Sequence, residues 1–144
     1  MTQVDFHIGI EDPVAYGCRL VRKVLASGAR ALILGDANLL RRMDVALWAD
    51  EASGFLPHAM ADAPAAVLAR SPVLLADKVP KGSPSDAVLI NFSGQLPDDH
   101  PGRERIIELV SADERAIQAA RERWKSYKQQ GFSLVNHDVR PRAQ

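Results

Sequence analysis

The stretch Ala31-Leu32-Ile33-Leu34-Gly35-Asp36, together with the helical pattern that follows it, decides the fold class. Four consecutive apolar residues before a glycine are typical of a strand buried on both faces. Asp36 is placed to cap a helix that continues to about Trp48. The inner stripe of that helix consists of apolar residues at helical spacing: Leu39, Leu40, Met43, Ala46 and Leu47. A buried strand followed by an amphipathic helix predicts one βα unit of a parallel sheet.

The alternation of strands and helices continues on both sides of this unit. Upstream, an alternating strand at 4–8 leads into a helix that Ser27-Gly28 ends. Downstream, Ser111 or Asp113 caps a last helix, which Gly131 ends. The other apolar runs, which predict three further strands, are 73–76, 87–92 and 105–110.

The remaining segments are predicted to be connections. Residues 49–71 form a long loop with a short helix near 64–69, and 78–86 form an exposed loop because it contains two prolines and a glycine. The tail at 132–144 is expected to contribute a short extended piece and otherwise to fray, over 136–144. Residues 1–144 are therefore predicted to form a single α/β domain, a Rossmann-like three-layer fold with a mainly parallel sheet and helices on both faces.

Composition excludes several classes of protein. The chain has 144 residues, 47% hydrophobic and 25% charged, as in ordinary globular domains. No apolar run approaches the roughly 20 residues that cross a bilayer, and the single cysteine, Cys18, fits a reducing compartment. We therefore expect a cytoplasmic protein with no membrane partner.

Charge is unevenly distributed along the chain. The net charge is zero, which argues against direct binding of DNA. Residues 115–144, however, contain seven Lys and Arg against two Asp and Glu. This asymmetry indicates either an anionic partner at one end of the molecule or simply a solvated basic helix.

Motifs of cofactor and metal chemistry are missing from the sequence. The turn after the first strand, Ile8-Gly9-Ile10-Glu11-Asp12-Pro13, has no Gly-x-Gly-x-x-Gly, and its acidic pair would repel a pyrophosphate. The four histidines are scattered, and Asp98-Asp99-His100, the best metal candidate, is more typical of a solvated turn. Cys18 lies on the apolar side of its helix, which favours an inert buried thiol. We predict no catalytic, cofactor-binding or metal-binding residue.

One enzymatic alternative stays open at this point. A nucleotide- or small-molecule-binding Rossmann-like enzyme would hold its ligand at the carboxyl ends of the strands, near Gly9, Gly35 or Ser93.

The last helix carries the first candidate interaction surface. Its face toward the sheet is predicted to contain Ala116, Ile117, Ala120, Trp124 and Tyr127. Along one edge of this face lie three cations, Arg121, Lys125 and Lys128. An aromatic ring rimmed by cations suits a peptide with an apolar end and negative charge, and an arginine can bind a terminal carboxylate with two parallel hydrogen bonds. The alternative is that Trp124 belongs to the core and the cations only keep the helix solvated.

A second candidate surface contains Trp48 and Phe55. Both are large aromatics in places where polar residues are expected, at the end of a helix and in a loop. Such residues often anchor interfaces, although they also form satellite cores under long loops.

Several segments resemble one known family. They are Asp44-Val45-Ala46-Leu47-Trp48, Ser53-Gly54-Phe55-Leu56-Pro57-His58, Pro72-Val73-Leu74-Leu75, Asp86-Ala87-Val88-Leu89-Ile90-Asn91, and the helix Ala120-Arg121-Glu122-Arg123-Trp124-Lys125-Ser126-Tyr127-Lys128-Gln129-Gln130-Gly131-Phe132. In this order they are similar to the chi subunit of bacterial DNA polymerase III. The resemblance implies a Rossmann-like, non-catalytic accessory subunit of the clamp-loader complex.

The resemblance also implies partners and site residues. In that family, chi binds the acidic, phenylalanine-terminated tail of single-stranded DNA-binding protein, and matching positions are Arg121, Trp124 and Lys125. It also binds the psi subunit, through aromatics that match Trp48 and Phe55. Another clamp-loader component is the alternative partner there. Two positions depart from the family pattern, because Ile117 replaces a basic residue and Trp124 stands where tyrosine is common.

Overall fold

Seven strands and three helices make up the described part of the chain. The computed structural model describes residues 2–49, 58–60, 63, 71–80, 86–97 and 102–140. The strands are β1 Gln3–Ile10, β2 Ala31–Leu34, β3 His58–Met60, β4 Val73–Ala76, β5 Val88–Asn91, β6 Arg105–Ser111 and β7 Ser133–Asp138. The helices are α1 Pro13–Ala26, α2 Ala37–Ala49 and α3 Glu114–Gln129.

The strands form one sheet in the order β3-β4-β2-β5-β6-β1-β7. All of its strand pairs are parallel. Side chains of α1 and α2 build the core on one face, and side chains of α3 build it on the other. The central strands β2 and β5 are buried at every residue, as expected of strands that helices cover on both sides. The predicted three-layer α/β fold with a parallel sheet is confirmed.

Each helix begins where an aspartate can cap it. The Oδ1 atom of Asp12 accepts a hydrogen bond from the backbone N–H of Ala15 at 3.1 Å, and Asp36 accepts one from Leu39 at 2.8 Å. Asp113 caps α3. Of the two caps predicted for that helix, Asp113 is therefore the correct one. These side chains satisfy N–H groups that the first helical turn leaves without a partner.

Two segments differ from the prediction. The predicted loop at 49–71 contains β3, which pairs with β4 and forms one edge of the sheet. Three residues are too few to show a strand period in the sequence. The tail predicted to fray from residue 136 continues instead in β7 to Asp138, because β1 supplies a free edge for parallel pairing. The short helix predicted at 64–69 and residues 141–144 lie outside the described residues.

A buried polar network joins α3 to the sheet. The Glu108 side chain on β6 is fully buried, and its Oε1 accepts a hydrogen bond from Nε of Arg123 at 3.0 Å. The Tyr127 hydroxyl donates to Oε2 of Glu108 at 2.7 Å, and the amide of Asn91 on β5 donates to both carboxylate oxygens. Arg123 also donates to the carbonyl of Gly94. Two successive turns of α3 are thereby held against β5 and β6.

The pKa values of this network reflect its burial. Desolvation raises the pKa of Glu108, and the charge of Arg123 and the hydrogen bonds from Asn91, Tyr127 and Arg123 oppose that rise. Desolvation and the neighbouring Glu108 carboxylate raise the pKa of Tyr127 far above its usual range. Tyr127 therefore remains a hydroxyl donor at any physiological pH.

None of the described helices is long and apolar enough to cross a membrane.

Glu108→Ala is expected to lower the free energy of unfolding by about 3–5 kcal/mol, because it leaves the buried Arg123 guanidinium without its counter-charge. Urea denaturation followed by circular dichroism measures the change. Glu122→Ala is the matched control, since Glu122 is exposed on α3 and its ion pair is with the exposed Lys125. It should change stability by no more than about 0.5 kcal/mol. Equal effects of the two variants would contradict the anchoring role of Glu108.

Candidate functional site

An open groove lies between α3 and the carboxyl-terminal halves of β6, β1 and β7. Its volume is about 650 Å³, within the range typical of ligand sites. The sheet contributes apolar side chains from β1 and β6, and α3 covers one side only. The lining residues are Phe6, Ile8, Gly9, Val110, Ala112, Ile117, Ala120, Arg121, Trp124, Lys125, Asn136 and Arg140.

Trp124 forms the aromatic wall of the groove. It is half-buried, and its ring packs against Phe6 with centroids 5.2 Å apart and planes tilted by 60°. Phe6 is in turn held by the edge of Tyr127, at 6.0 Å. One side of the indole therefore belongs to the core while another part faces the groove. The packing confirms that Trp124 takes part in the core, and its role in binding stays a prediction.

Cations stand along the open side of the groove. Arg121 is exposed one turn after Ile117, and Lys125 follows it one turn later. The ammonium of Lys125 lies 3.5 Å from a Glu122 carboxylate oxygen, but both side chains are largely exposed. Such a pair is weak and can exchange for another anion. Ile117 is half-buried and contributes apolar surface instead of charge.

Lys128 differs from the other predicted residues of α3. It is exposed and lies on the same side of the helix as Arg121, about 10 Å farther along the axis. It does not line the groove. The predicted surface consists of Ile117, Arg121, Trp124, Lys125 and Lys128; the first four line the groove together, and Lys128 stands beyond its end.

Sequence reasoning missed the contribution of β7. Asn136 lines the groove from this strand, and Arg140 follows two residues after the strand ends. The guanidinium of Arg140 pairs with Asp138 at 2.5 Å and lowers the pKa of that carboxyl to about 2. Both residues lie in a segment predicted to fray. The nearest signal was the basic character of residues 115–144, which does not say that β7 reaches the sheet.

The second predicted surface lies on α2. Trp48 is 59% exposed and Val45, one turn earlier on the same side of the helix, is 65% exposed. The Trp48 ring meets the imidazole of His58 edge-on at 5.3 Å, and Nε2 of His58 lies 2.8 Å from Oδ1 of Asp44. Phe55, the other aromatic predicted here, lies outside the described residues. Of the predicted pair, the structure therefore describes Trp48, an exposed aromatic next to the exposed Val45.

The described helices carry side-chain caps at the N-termini, where a nucleotide phosphate is commonly bound. In all three described helices an aspartate at the N-terminus accepts a hydrogen bond from a backbone N–H group. That N–H group would otherwise be free to donate to a phosphate. The hydroxyl of Ser93 donates to Asn91 within its own turn. Cys18 is buried, and burial raises the pKa of its thiol, which makes it a poor nucleophile. Asp98, Asp99 and His100 lie outside the described residues.

The chain is similar over its length to proteins of one family. The family model described as "DNA polymerase III chi subunit, HolC" matches residues 1–135. The DNA polymerase III subunit chi of Pseudomonas aeruginosa is 33% identical over 142 residues, which cover 95% of this chain and 96% of that protein. The DNA polymerase III subunit chi of Escherichia coli K12 is 31% identical, over 92% of this chain and 88% of its own. That of Haemophilus influenzae is 27% identical, over 85% and 84%.

Gly9→Ala tests whether the Arg140 side chain packs against Gly9 at one side of the groove. Gly9 has a φ of 81°, and a Cβ there would clash with Cγ of Arg140. We expect a loss of about 1–2 kcal/mol from the positive φ, plus a further cost from displacing Arg140. Gly28→Ala is the matched control, since Gly28 has a φ of 89° and open space around it. If urea denaturation shows equal losses for both variants, Arg140 does not pack on Gly9 in solution.

Proposed function

The chain belongs to the DNA polymerase III chi subunit family, and from this premise we propose that the groove under α3 binds the acidic C-terminal tail of single-stranded DNA-binding protein. Chi is a non-catalytic accessory subunit of the polymerase. Its role here is to attach the clamp-loader complex to protein-coated single-stranded DNA during replication. The observation that carries the proposal is that Trp124 and Arg121 line one open groove.

The groove suits a peptide that ends in phenylalanine. Its inner surface is apolar, built from Phe6, Ile8 and Ile117 beside the Trp124 ring. A phenyl ring buried against that wall gains from the removal of apolar surface and from the aromatic pair itself. Arg121, next to the wall and exposed, is placed to receive the terminal carboxylate with two parallel hydrogen bonds.

The charges around the groove suit the acids upstream of that phenylalanine. Lys125 attracts them from α3, and Lys128 extends the basic edge beyond the groove. Arg140 offers a third cation at the opposite wall if a tail carboxylate replaces Asp138. These groups are exposed, so their attraction is screened by salt, since the Debye length falls from about 10 Å at 0.1 M to about 3 Å at 1 M.

Ile117 sets this chain apart from the family pattern that we described. An isoleucine in place of a basic residue removes one positive charge from the groove and adds apolar contact for the phenyl ring. Trp124 likewise offers a larger flat surface than a tyrosine and no hydroxyl. Binding is therefore expected to depend more on the terminal phenylalanine and less on salt than the number of family cations suggests.

The tail is expected to bind saturably and more weakly at high salt. A labelled peptide with the cognate tail sequence is titrated with the protein at two salt concentrations, and fluorescence anisotropy is recorded. Arg121→Ala should weaken binding by about tenfold or more, because a hydrogen bond to a charged group contributes about 1.5–3 kcal/mol. Removing the terminal phenylalanine should have an effect at least as large.

Arg115→Ala is the matched control for this titration. Arg115 is exposed on α3 but does not line the groove, so its loss should leave binding nearly unchanged. A bare oligonucleotide should not compete at moderate salt, because the chain has no net positive charge. Absence of tail binding at high micromolar protein, or equal effects of Arg115→Ala and Arg121→Ala, would contradict the proposed site.

The exposed surface of α2 supports a second contact, with psi or another clamp-loader component. Trp48 and Val45, three residues apart on α2, are both exposed and form the α2 patch, and tryptophan is enriched among residues that dominate binding energy. Phe55 is proposed to extend this patch. The α2 patch and the groove use separate helices, so one molecule can hold both partners at once.

Trp48→Ala is expected to abolish or strongly reduce co-sedimentation with the cognate clamp-loader assembly, because it removes the central aromatic of the patch. Its binding to the tail peptide should be unchanged. Arg121→Ala is the reciprocal control, with tail binding lost and co-sedimentation retained. Loss of both activities in either variant would instead indicate unfolding, which circular dichroism detects, or a shared surface.

A further inference from the structure

Two histidines from opposite ends of the chain meet on the sheet face that lies away from the groove. Side chains alternate along a strand, so Asp5 and His7 of β1 share this face. His137 of β7 is paired in register with His7, and their rings lie 4.9 Å apart between centroids. The two histidines lie far apart in the sequence, and the parallel pairing of β7 with β1 brings them together.

Three potential ligand atoms converge at this point. One ring nitrogen from each histidine and one oxygen of Asp5 all lie within 4.8 Å of one another, and Nε2 of His137 is 3.7 Å from Oδ2 of Asp5. Ligands of a tetrahedral zinc ion stand about 3.3 Å apart. The ligand atoms of the three residues would therefore have to move closer to one another by roughly 1.5 Å at most. The His137 side chain is nearly half-exposed and has the freedom to make it.

We propose that Asp5, His7 and His137 form a binding site for a divalent transition metal ion of the zinc class. Two imidazoles and one carboxylate are a donor set that zinc uses when it keeps a fourth position for water. The neighbours of these ligands already orient them. The Tyr16 hydroxyl lies 2.5 Å from Nδ1 of His7 and fixes the orientation of the ring, and the amide of Gln3 donates to Oδ1 of Asp5.

Arg105 competes with the metal for Asp5. Its guanidinium donates to Oδ2 at 3.2 Å, and its side chain is 44% exposed. Arg19 and Lys23 add positive charge along the adjoining cavity. A metal bound at Asp5 competes with Arg105 for the carboxylate and is repelled by the nearby positive charges, so these cations weaken the site. This competition predicts that loss of Arg105 tightens metal binding, the opposite of what loss of a structural ion pair alone would do.

Metal binding would add a second link between β7 and β1, besides their backbone pairing. This strand is the last in the sheet and pairs only with β1. Asn136, next to His137, points to the other face and lines the groove. A metal held between β1 and β7 therefore stabilises one wall of the groove from behind, whichever partner the groove binds.

The test titrates Zn²⁺ into the tag-free full chain, freed of metal by dialysis against chelator, and follows binding by calorimetry. We expect one ion per chain. His7→Ala and His137→Ala should each weaken binding by more than about 100-fold, beyond the cost of losing an outer neighbour. Arg105→Gln should tighten binding. Co²⁺ in place of Zn²⁺ should give the intense visible absorption of a tetrahedral site in the wild-type chain and lose it in both histidine variants.

His100→Ala is the matched control, because it removes a histidine that is not one of the three proposed ligands. Retained stoichiometry and affinity in this variant support the site, and loss of binding there overturns it. No binding at millimolar Zn²⁺, or weaker binding in Arg105→Gln, also overturns it. Circular dichroism of each variant without metal separates loss of ligands from loss of fold, and a double Asp5→Asn, Arg105→Gln variant that keeps the fold should still lose tight binding.

Discussion

The buried carboxylate of Glu108 is the interaction on which the functional part of this molecule depends. It lies on β6 and accepts hydrogen bonds from Asn91 of β5 and from Arg123 and Tyr127 of α3. A buried charge of this kind is tolerated only when its partners satisfy it, which specifies one position of α3 on the sheet. Ile117, Arg121, Trp124 and Lys125 all belong to this helix, so the network also sets where they stand.

The groove exists because α3 covers its side of the sheet incompletely. On the other face, α1 and α2 build the larger core. On the groove face, α3 crosses β6 and β1 and leaves the ends of β1 and β7 uncovered, so Ile8 and Asn136 become its floor and far wall. Arg123 turns inward and Arg121 remains at the edge, although they are two residues apart on one basic helix. Their opposite roles follow from the angle between them around the helix axis.

Much of the candidate site is readable from helical spacing. Aromatic and basic residues three and four apart define an edge of a helix whatever the tertiary structure is, so the sequence alone puts Arg121, Trp124 and Lys125 side by side. The sequence does not show that Arg123 is buried. A buried arginine needs a buried carboxylate partner, and Glu108 lies in a segment that otherwise reads as an apolar strand. Asn136, Arg140 and His137 were missed for another reason. Their strand is short and polar, and its pairing partner is 130 positions away in the chain.

Local chemistry along the chain accounts for the class of fold. Aspartates at the helix starts, glycines with positive φ at their ends, and the apolar runs of β2, β4 and β5 act over a few residues, so a single sequence displays them. The sequence of the last helix likewise carries its aromatic and basic edge. Strand order, the β7 edge, the Glu108 network and the meeting of His7 with His137 depend on contacts between distant segments. Those contacts form only when burial of the two apolar faces selects one arrangement of the whole sheet, and no local pattern records that choice.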